Sequence, residues 1–240
     1  MSSTPASPAA PAAPAAPATD GRRRAAAARR RAREAEIIAA TRTLFDAKGT
    51  GDAQIEDIAS AVGINRAIVY RHFTGKEELF ALTLVSYLDE LRTEMDAAAA
   101  LTDRPADRLA AIVAAFVDYG VRYPAFVDCA QALMRRRGDE LLAEVSEGAL
   151  FRLGRAISAC LALLSATLEA GVTAGVFATS DDPDLLANTL YASGLGALQL
   201  ARIGILVREA APGIPTIGTI SADQVRANLV ASALALAGYR

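Results

Sequence analysis

The stretch Ile55–Lys76, IEDIASAVGINRAIVYRHFTGK, constrains the fold of this chain more than any other. Ile55, Ile58, Ala59 and Val62 follow i, i+3, i+4, i+7 spacing, the apolar face of a short helix. Gly63 comes next, where a helix end favours a left-handed residue. Asn65 suits the N-cap of a second helix. With that cap, Ile64 falls at N′ and Val69 at N4, the partners of a hydrophobic staple. The pattern predicts helices over roughly 54–61 and 65–72 joined by a tight turn, a helix-turn-helix.

At about 100° per residue, Val69 and Phe73 share the buried side of the second helix. Ala67 and Arg71 then point outward, flanked by Ile68 and Tyr70, with Arg66 and His72 nearer the edges. A DNA major groove takes such a mixture: Arg for guanine edges and phosphate, apolar surface for thymine methyls. Thr74-Gly75-Lys76-Glu77 has the form of a capping box for a further helix. It sets Lys76 in a first helical turn, where phosphate is attracted.

Asp57-Ile58-Ala59, Gly63-Ile64, Tyr70, His72-Phe73 and Lys76-Glu77-Glu78-Leu79 together resemble the DNA-binding domain of the tetracycline-repressor (TetR) family of bacterial regulators. The resemblance covers roughly Ile37 to Leu82. It departs from the family at Ala53-Gln54, where Thr or Ser usually caps the first motif helix, so that Asp52 becomes a candidate cap. It departs again at Asn65-Arg66. The fold class implied is all-α: an N-terminal three-helix DNA-binding domain with a helix-turn-helix, then a helical-bundle ligand-binding and dimerisation domain. Arg66, Ala67, Ile68 and Arg71 are expected at base edges. Asn65, Tyr70, His72 and Lys76 are expected at phosphates.

Charge is distributed to match. Net charge is −2 overall. Residues 1–80 nevertheless hold twelve Lys and Arg against nine Asp and Glu, so the basic end is the one with the motif. Residues 1–20 repeat Pro-Ala-Ala and are expected to be disordered. Residues 22–33 carry seven arginines, read as an arm that grips DNA or as a solvated tail. The divisions expected are an arm over 1–33, a DNA-binding domain over 34–80 and a bundle over 81–240. Aromatics make up only 5% and Trp is absent, an Ala- and Leu-rich composition that favours helices. Cys129 and Cys160 read as buried thiols. His72 is the only histidine, so no metal set is visible and no cofactor is expected. An enzyme reading finds no nucleophile–base pair. No secretion signal or bilayer-spanning run is read, which predicts a cytoplasmic protein with no membrane partner.

Along the chain, helices are expected from about Glu34 to Lys48, and from Lys76 to about Ala98. Further helices are expected after Pro105, after Pro124, from Gly138 to about Ala170, from Asp182 to about Glu209, and over about 222–237. Residues 171–181 and 212–218 read as loops. The last two helices carry surplus apolar residues, among them Leu195, Leu198, Ile205, Leu229, Leu234 and Leu236, with Gly194 and Gly196 permitting close approach. The resemblance implies a two-fold homodimer built from these helices. It also implies a small molecule held in the bundle, for which Tyr87, Phe116, Tyr119, Phe126, Gln131, Phe151, Phe177 and Tyr191 are pocket candidates. Few charges fall on inward faces, so an apolar or amphipathic ligand is expected. The function implied is a repressor released from a palindromic operator on double-stranded DNA by that effector. An activator of the same fold, or a sequence-nonspecific DNA binder, stands as the alternative.

Overall fold

The computed structural model describes residues 18–239. Of the residues 1–20 expected to be disordered, 1–17 lie outside the described residues and 18–20 are helical. Helix α1 spans Ala18–Lys48, α2 Ile55–Ala61, α3 Arg66–His72 and α4 Lys76–Ala99. The first three pack on one another and, through α1, on α4. Ile37, Phe45, Ile58, Val69, Phe73 and Leu79 are buried between them. α1 begins well ahead of the expected Glu34, so the Arg-rich segment from Arg22 onward is helical. Ala25–Ala28, with no Gly or Pro to Lys48, gives the helix no reason to stop.

Two expected caps are replaced by others. Gln54, not Asp52, is the N-cap of α2, and its N–H donates to Asp57 Oδ2 at 3.3 Å. Gly75, not Thr74, is the N-cap of α4, and the Thr74 N–H reaches Glu78 rather than Glu77.

The bundle follows with α5 (Pro105–Arg122), α6 (Pro124–Met134), α7 (Gly138–Glu144), α8 (Glu147–Thr173), α9 (Pro183–Ile203) and α10 (Ala222–Leu236). Ser221 caps α10 as its sequence indicates, accepting the Gln224 N–H at 3.2 Å while Gln224 Oε1 accepts the Ser221 N–H at 2.9 Å. The single long helix expected from Gly138 is instead two. Val145 is extended and Ser146 caps α8, accepting the Ala149 N–H at 3.3 Å. α8 is long and apolar enough to cross a bilayer by length and composition. It packs here against α4, α5 and α9.

The helix expected to reach Glu209 stops at Gly204, which takes φ 68°. Beyond it β1 (Ile205–Ala211) and β2 (Ile214–Thr219) form an antiparallel hairpin, the one departure from all-α among the described residues. Ile205, Val207, Ile214 and Ile217 are β-branched, and Pro212-Gly213 supplies the turn that was read as loop.

Glu78 joins the two halves of the chain. It is 5% exposed, on the first turn of α4. It accepts hydrogen bonds from the Thr74 N–H and from the Ser146 hydroxyl at the head of α8. Thr74 Oγ1 also donates to the Glu144 carbonyl at 2.8 Å. Burial pushes the Glu78 carboxyl up, but the bonds from Ser146 and Thr74 outweigh it and hold the group below the ordinary carboxylate range. This stabilisation is fully present above the unfolded value, about 4.3, and is lost as pH falls through the lower folded value. Glu78→Gln is therefore expected to lower stability by about 1–3 kcal/mol at neutral pH. In denaturant titrations the gap from wild type should close as pH drops below about 4.

Candidate nucleic-acid interface

The turn before α3 fixes its orientation. Gly63 takes φ 67°. Its N–H donates to the Ser60 carbonyl at 3.1 Å, and the Ile64 N–H donates to the Ala59 carbonyl at 2.9 Å, which seals the end of α2. Asn65 Oδ1 then accepts the Ile68 N–H at 3.1 Å and opens α3. Val69 and Phe73 are buried at 1% and 2% exposure, which sets the rotation of the helix. The opposite side faces solvent. Asn65, Arg66, Ala67, Tyr70 and Arg71 are exposed, and Ile68 and His72 are half-buried. Lys76, the first residue of α4, is exposed with Nζ 5.3 Å from the Phe80 ring centroid.

Arg66 has a partner that sequence reading missed. It donates to Glu56 Oε1 at 2.8 Å, and its guanidinium lies 5.3 Å from the Tyr70 ring centroid. Glu56 belongs to α2, and only the packing of α2 on α3 brings it here. Any contact of Arg66 with another group must compete with this pair.

His72 Nδ1 is buried without a hydrogen-bond partner. Burial, then the positive charge of Arg30, hold His72 below its ordinary value; Arg33 and Arg71 add to this and Glu34 opposes it. The imidazole is therefore neutral at pH 7, a hydrogen-bonding group and not a cation. Arg30 and Arg33 of α1 thus lie near His72, at the C-terminal end of α3. From Arg22 to Arg31 every arginine is exposed.

A second cluster joins this domain to the bundle. Arg42 of α1 lies 4.3 Å from the Tyr87 ring centroid and 5.2 Å from that of Tyr123. It pairs with Glu90 and donates to the Ser86 carbonyl at 3.3 Å. Tyr119 donates to Glu90 at 3.1 Å, and Tyr87 donates to Asp46 Oδ1 at 2.6 Å. Burial pushes the Tyr87 and Tyr119 hydroxyls far up, so both stay protonated donors.

The pocket candidates fall into separate places. Tyr87, Tyr119 and Phe126 belong to the buried aromatic cluster around Arg42. Phe116 and Tyr191, with ring centroids 6.1 Å apart, line a cavity of ≈ 20 Å³, about the space of one water. Leu91 and Met95 of α4, Cys160 and Leu164 of α8 and Leu229 of α10 are among the other residues of its wall, none of which is charged. Gln131 is half-buried outside it, Phe177 packs on Gly171 and Tyr239, and Phe151 is 67% exposed. The cavity meets the Arg42 cluster through Phe126, whose ring centroid is 6.0 Å from that of Phe116 and 5.6 Å from that of Tyr119. Cys129 and Cys160 are both buried free thiols, and burial pushes Cys160 up to about 12. Among the described residues no group of three His, Cys, Asp or Glu side chains could hold a metal ion.

Residues 37–82 match the family described as bacterial regulatory proteins, tetR family. The chain is 33% identical over 82 residues to the HTH-type transcriptional regulator BetI of Brucella anthropi, a match covering 34% of this chain and 42% of BetI. It is 30% identical over 99 residues to the HTH-type transcriptional activator FasR of Mycolicibacterium smegmatis, covering 41% of this chain and 45% of FasR. The chain thus matches less than half the length of either relative. In overall fold it resembles a tetR-family regulatory protein from Rhodococcus RHA1, with TM-score 0.61, 21% identity, and coverage of 86% of this chain and 97% of that one. RolR in complex with resorcinol gives TM-score 0.61 at 19% identity, covering 89% of this chain and 91% of its own. FadR of Bacillus subtilis in complex with stearoyl-CoA gives TM-score 0.61 at 12% identity, covering 86% of this chain and 100% of its own.

Arg42 leads to a stability test. Arg42→Met keeps the aliphatic stem but removes the cation from two rings and from Glu90, and is expected to cost about 2–3 kcal/mol in urea unfolding. Arg42→Lys should recover only part of this, because an ammonium lacks the planar fork.

Proposed function

We infer the function from the family to which residues 37–82 assign this chain, the tetR family of bacterial regulatory proteins. It is a DNA-binding regulator of transcription that acts in the bacterial cytoplasm as a homodimer on a palindromic operator. The observation that carries this reading is the exposed face of α3, with Arg66, Ala67, Tyr70 and Arg71 outward and its axis fixed by Gly63 and the Asn65 cap. Arg66, Ala67, Ile68 and Arg71 meet base edges. Asn65, Tyr70, Lys76 and the neutral His72 hold phosphates and set register. The arginines of α1 add contacts to flanking phosphates. One short helix reads only a few base pairs, so a two-fold pair of them is needed for a specific site.

The regulator is a repressor that an apolar or amphipathic small molecule releases. Support comes from the uncharged wall of the cavity between α4, α5, α8, α9 and α10. RolR and FadR, which share this fold, have been seen with resorcinol and stearoyl-CoA. At ≈ 20 Å³ the cavity must widen to admit such a molecule. Widening displaces Phe116, and the rings of Phe126, Tyr119 and Tyr87 carry the displacement to Arg42 and α1. The effector then favours a conformation with altered spacing of the two recognition helices.

Anisotropy titrations on an operator fragment test this. Arg71→Ala is expected to cost about 1–3 kcal/mol on the specific site and to relax preference there. Lys76→Ala should weaken specific and random DNA alike and reduce the salt slope by about 1. An Arg71→Ala protein with unchanged affinity and preference contradicts the assignment of the α3 face. The cavity-filling Leu164→Phe should leave operator affinity near wild type and blunt effector release.

A further inference from the structure

We propose that the β1–β2 hairpin is a dimer arm, whose Ile205, Val207 and Ile217 face packs on a second copy of this chain beside the α9 and α10 contact. The inference rests on the homodimer reading above and extends it to an element that the sequence did not announce.

The register pairs Ile205 with Thr219, Val207 with Ile217 and Glu209 with Pro215. Residues opposite one another share a face. One face of the ribbon is therefore largely aliphatic, and its central pair, Val207 and Ile217, is 70% and 74% exposed. The other face carries Leu206 and Arg208, which line a groove against Leu200 of α9 and Asn228 of α10. The inner face of the ribbon thus borders the chain's own helices, with Leu206 half-buried, while Val207 and Ile217 on the outer face stand in solvent. An isolated two-stranded ribbon is marginal in water, and soluble proteins seldom leave such an apolar face uncovered.

The position of the hairpin identifies what covers it. It begins directly after Gly204, which ends α9, and finishes just before Ser221, which caps α10. The Ile220 N–H donates to the Gly204 carbonyl at 3.1 Å and closes its base. The ribbon therefore stands at the end of the two helices through which the dimer forms. Those helices are uncharged over long runs: no Asp, Glu, Lys or Arg occurs in residues 185–201 or 227–239. Yet Ala192, Gly196 and Leu200 of α9 and Ala231, Ala235 and Leu236 of α10 are exposed. A Cβ at Gly196 would meet nothing within 4 Å, so a partner helix can approach closely there. Leu195, Leu198 and Leu229 are not part of this surface; they face the chain's own core, and Gly194 makes room for Phe116. A small, uncharged helix face that leads directly into an aliphatic ribbon suits contact with its own copy across a two-fold axis.

Sedimentation equilibrium of the full chain, paired with hydrogen exchange, tests the arm. The wild type is expected to be a dimer. The double variant Val207→Glu/Ile217→Glu should raise its dissociation constant about tenfold or more, with helix content unchanged. Ala192→Arg, on the α9 face, should split the dimer, and the amides of residues 205–219 should then exchange faster than in the wild type. If Ala192→Arg splits the dimer while the hairpin variant dimerises like the wild type and the hairpin amides exchange equally in both states, the arm is overturned and the helix-built dimer stands. A wild type that sediments as a monomer at micromolar concentration overturns the dimer and the arm together.

Discussion

The guanidinium of Arg42 lies over the rings of Tyr87 and Tyr123 and is held by Glu90, itself bonded to the Tyr119 hydroxyl. This cluster draws on α1, α4, α5 and the residue just before α6, so α1 cannot shift without disturbing the bundle. A cation between aromatic faces at a partly buried site gains from both rings and from the nearby carboxylate. The motif helices α2 and α3 are carried on α1, and their position relative to the bundle follows from this contact and from the Glu78 bonds that tie α4 to the head of α8.

α4 links the helix-turn-helix motif to the cavity. Its first turn carries Lys76 just after α3, and about four to five turns further on Leu91 and Met95 wall the cavity. Leu91 lies one residue beyond Glu90, the partner of Arg42. In the proposed mechanism a change in cavity volume would reach the motif by two routes, through α4 itself and through the rings of Phe116, Phe126 and Tyr119. Interiors packed to native density transmit such a change and do not absorb it. In the proposed reading the ion pair of Arg66 with Glu56 adds a local control, since the guanidinium would leave a carboxylate to reach DNA.

The parts legible in the sequence were those whose signals are local. Gly63 and the Asn65 cap lie within a few residues of what they determine, and the buried and exposed sides of α3 follow from helical period alone. The capping box of α10 is of the same kind. What could not be read depends on distant partners. Glu78 looks like an ordinary first-turn acid until Ser146 arrives from the head of α8. Glu56 faces Arg66 only once α2 packs on α3. The aromatics of the bundle were alike in sequence, but Phe116 and Tyr191 reach the cavity, Tyr87 and Tyr119 serve the Arg42 cluster, and Phe151 is exposed. The hairpin was hidden because Ile205–Val207 continues an apolar run that reads as helix, and Gly204 decides the matter by its left-handed backbone.

The central claim is that two copies of α3 read two halves of one palindrome. Footprinting of the purified protein on its own upstream intergenic DNA, beside random DNA at about 150 mM salt, tests it most directly. The account predicts one protected palindrome with half-sites about 34–36 Å apart or at a multiple of that distance, and binding at least about 10³ tighter than to random DNA. Equal protection of both DNAs, persisting when residues 1–33 are removed and in any genomic fragment tried, would contradict it.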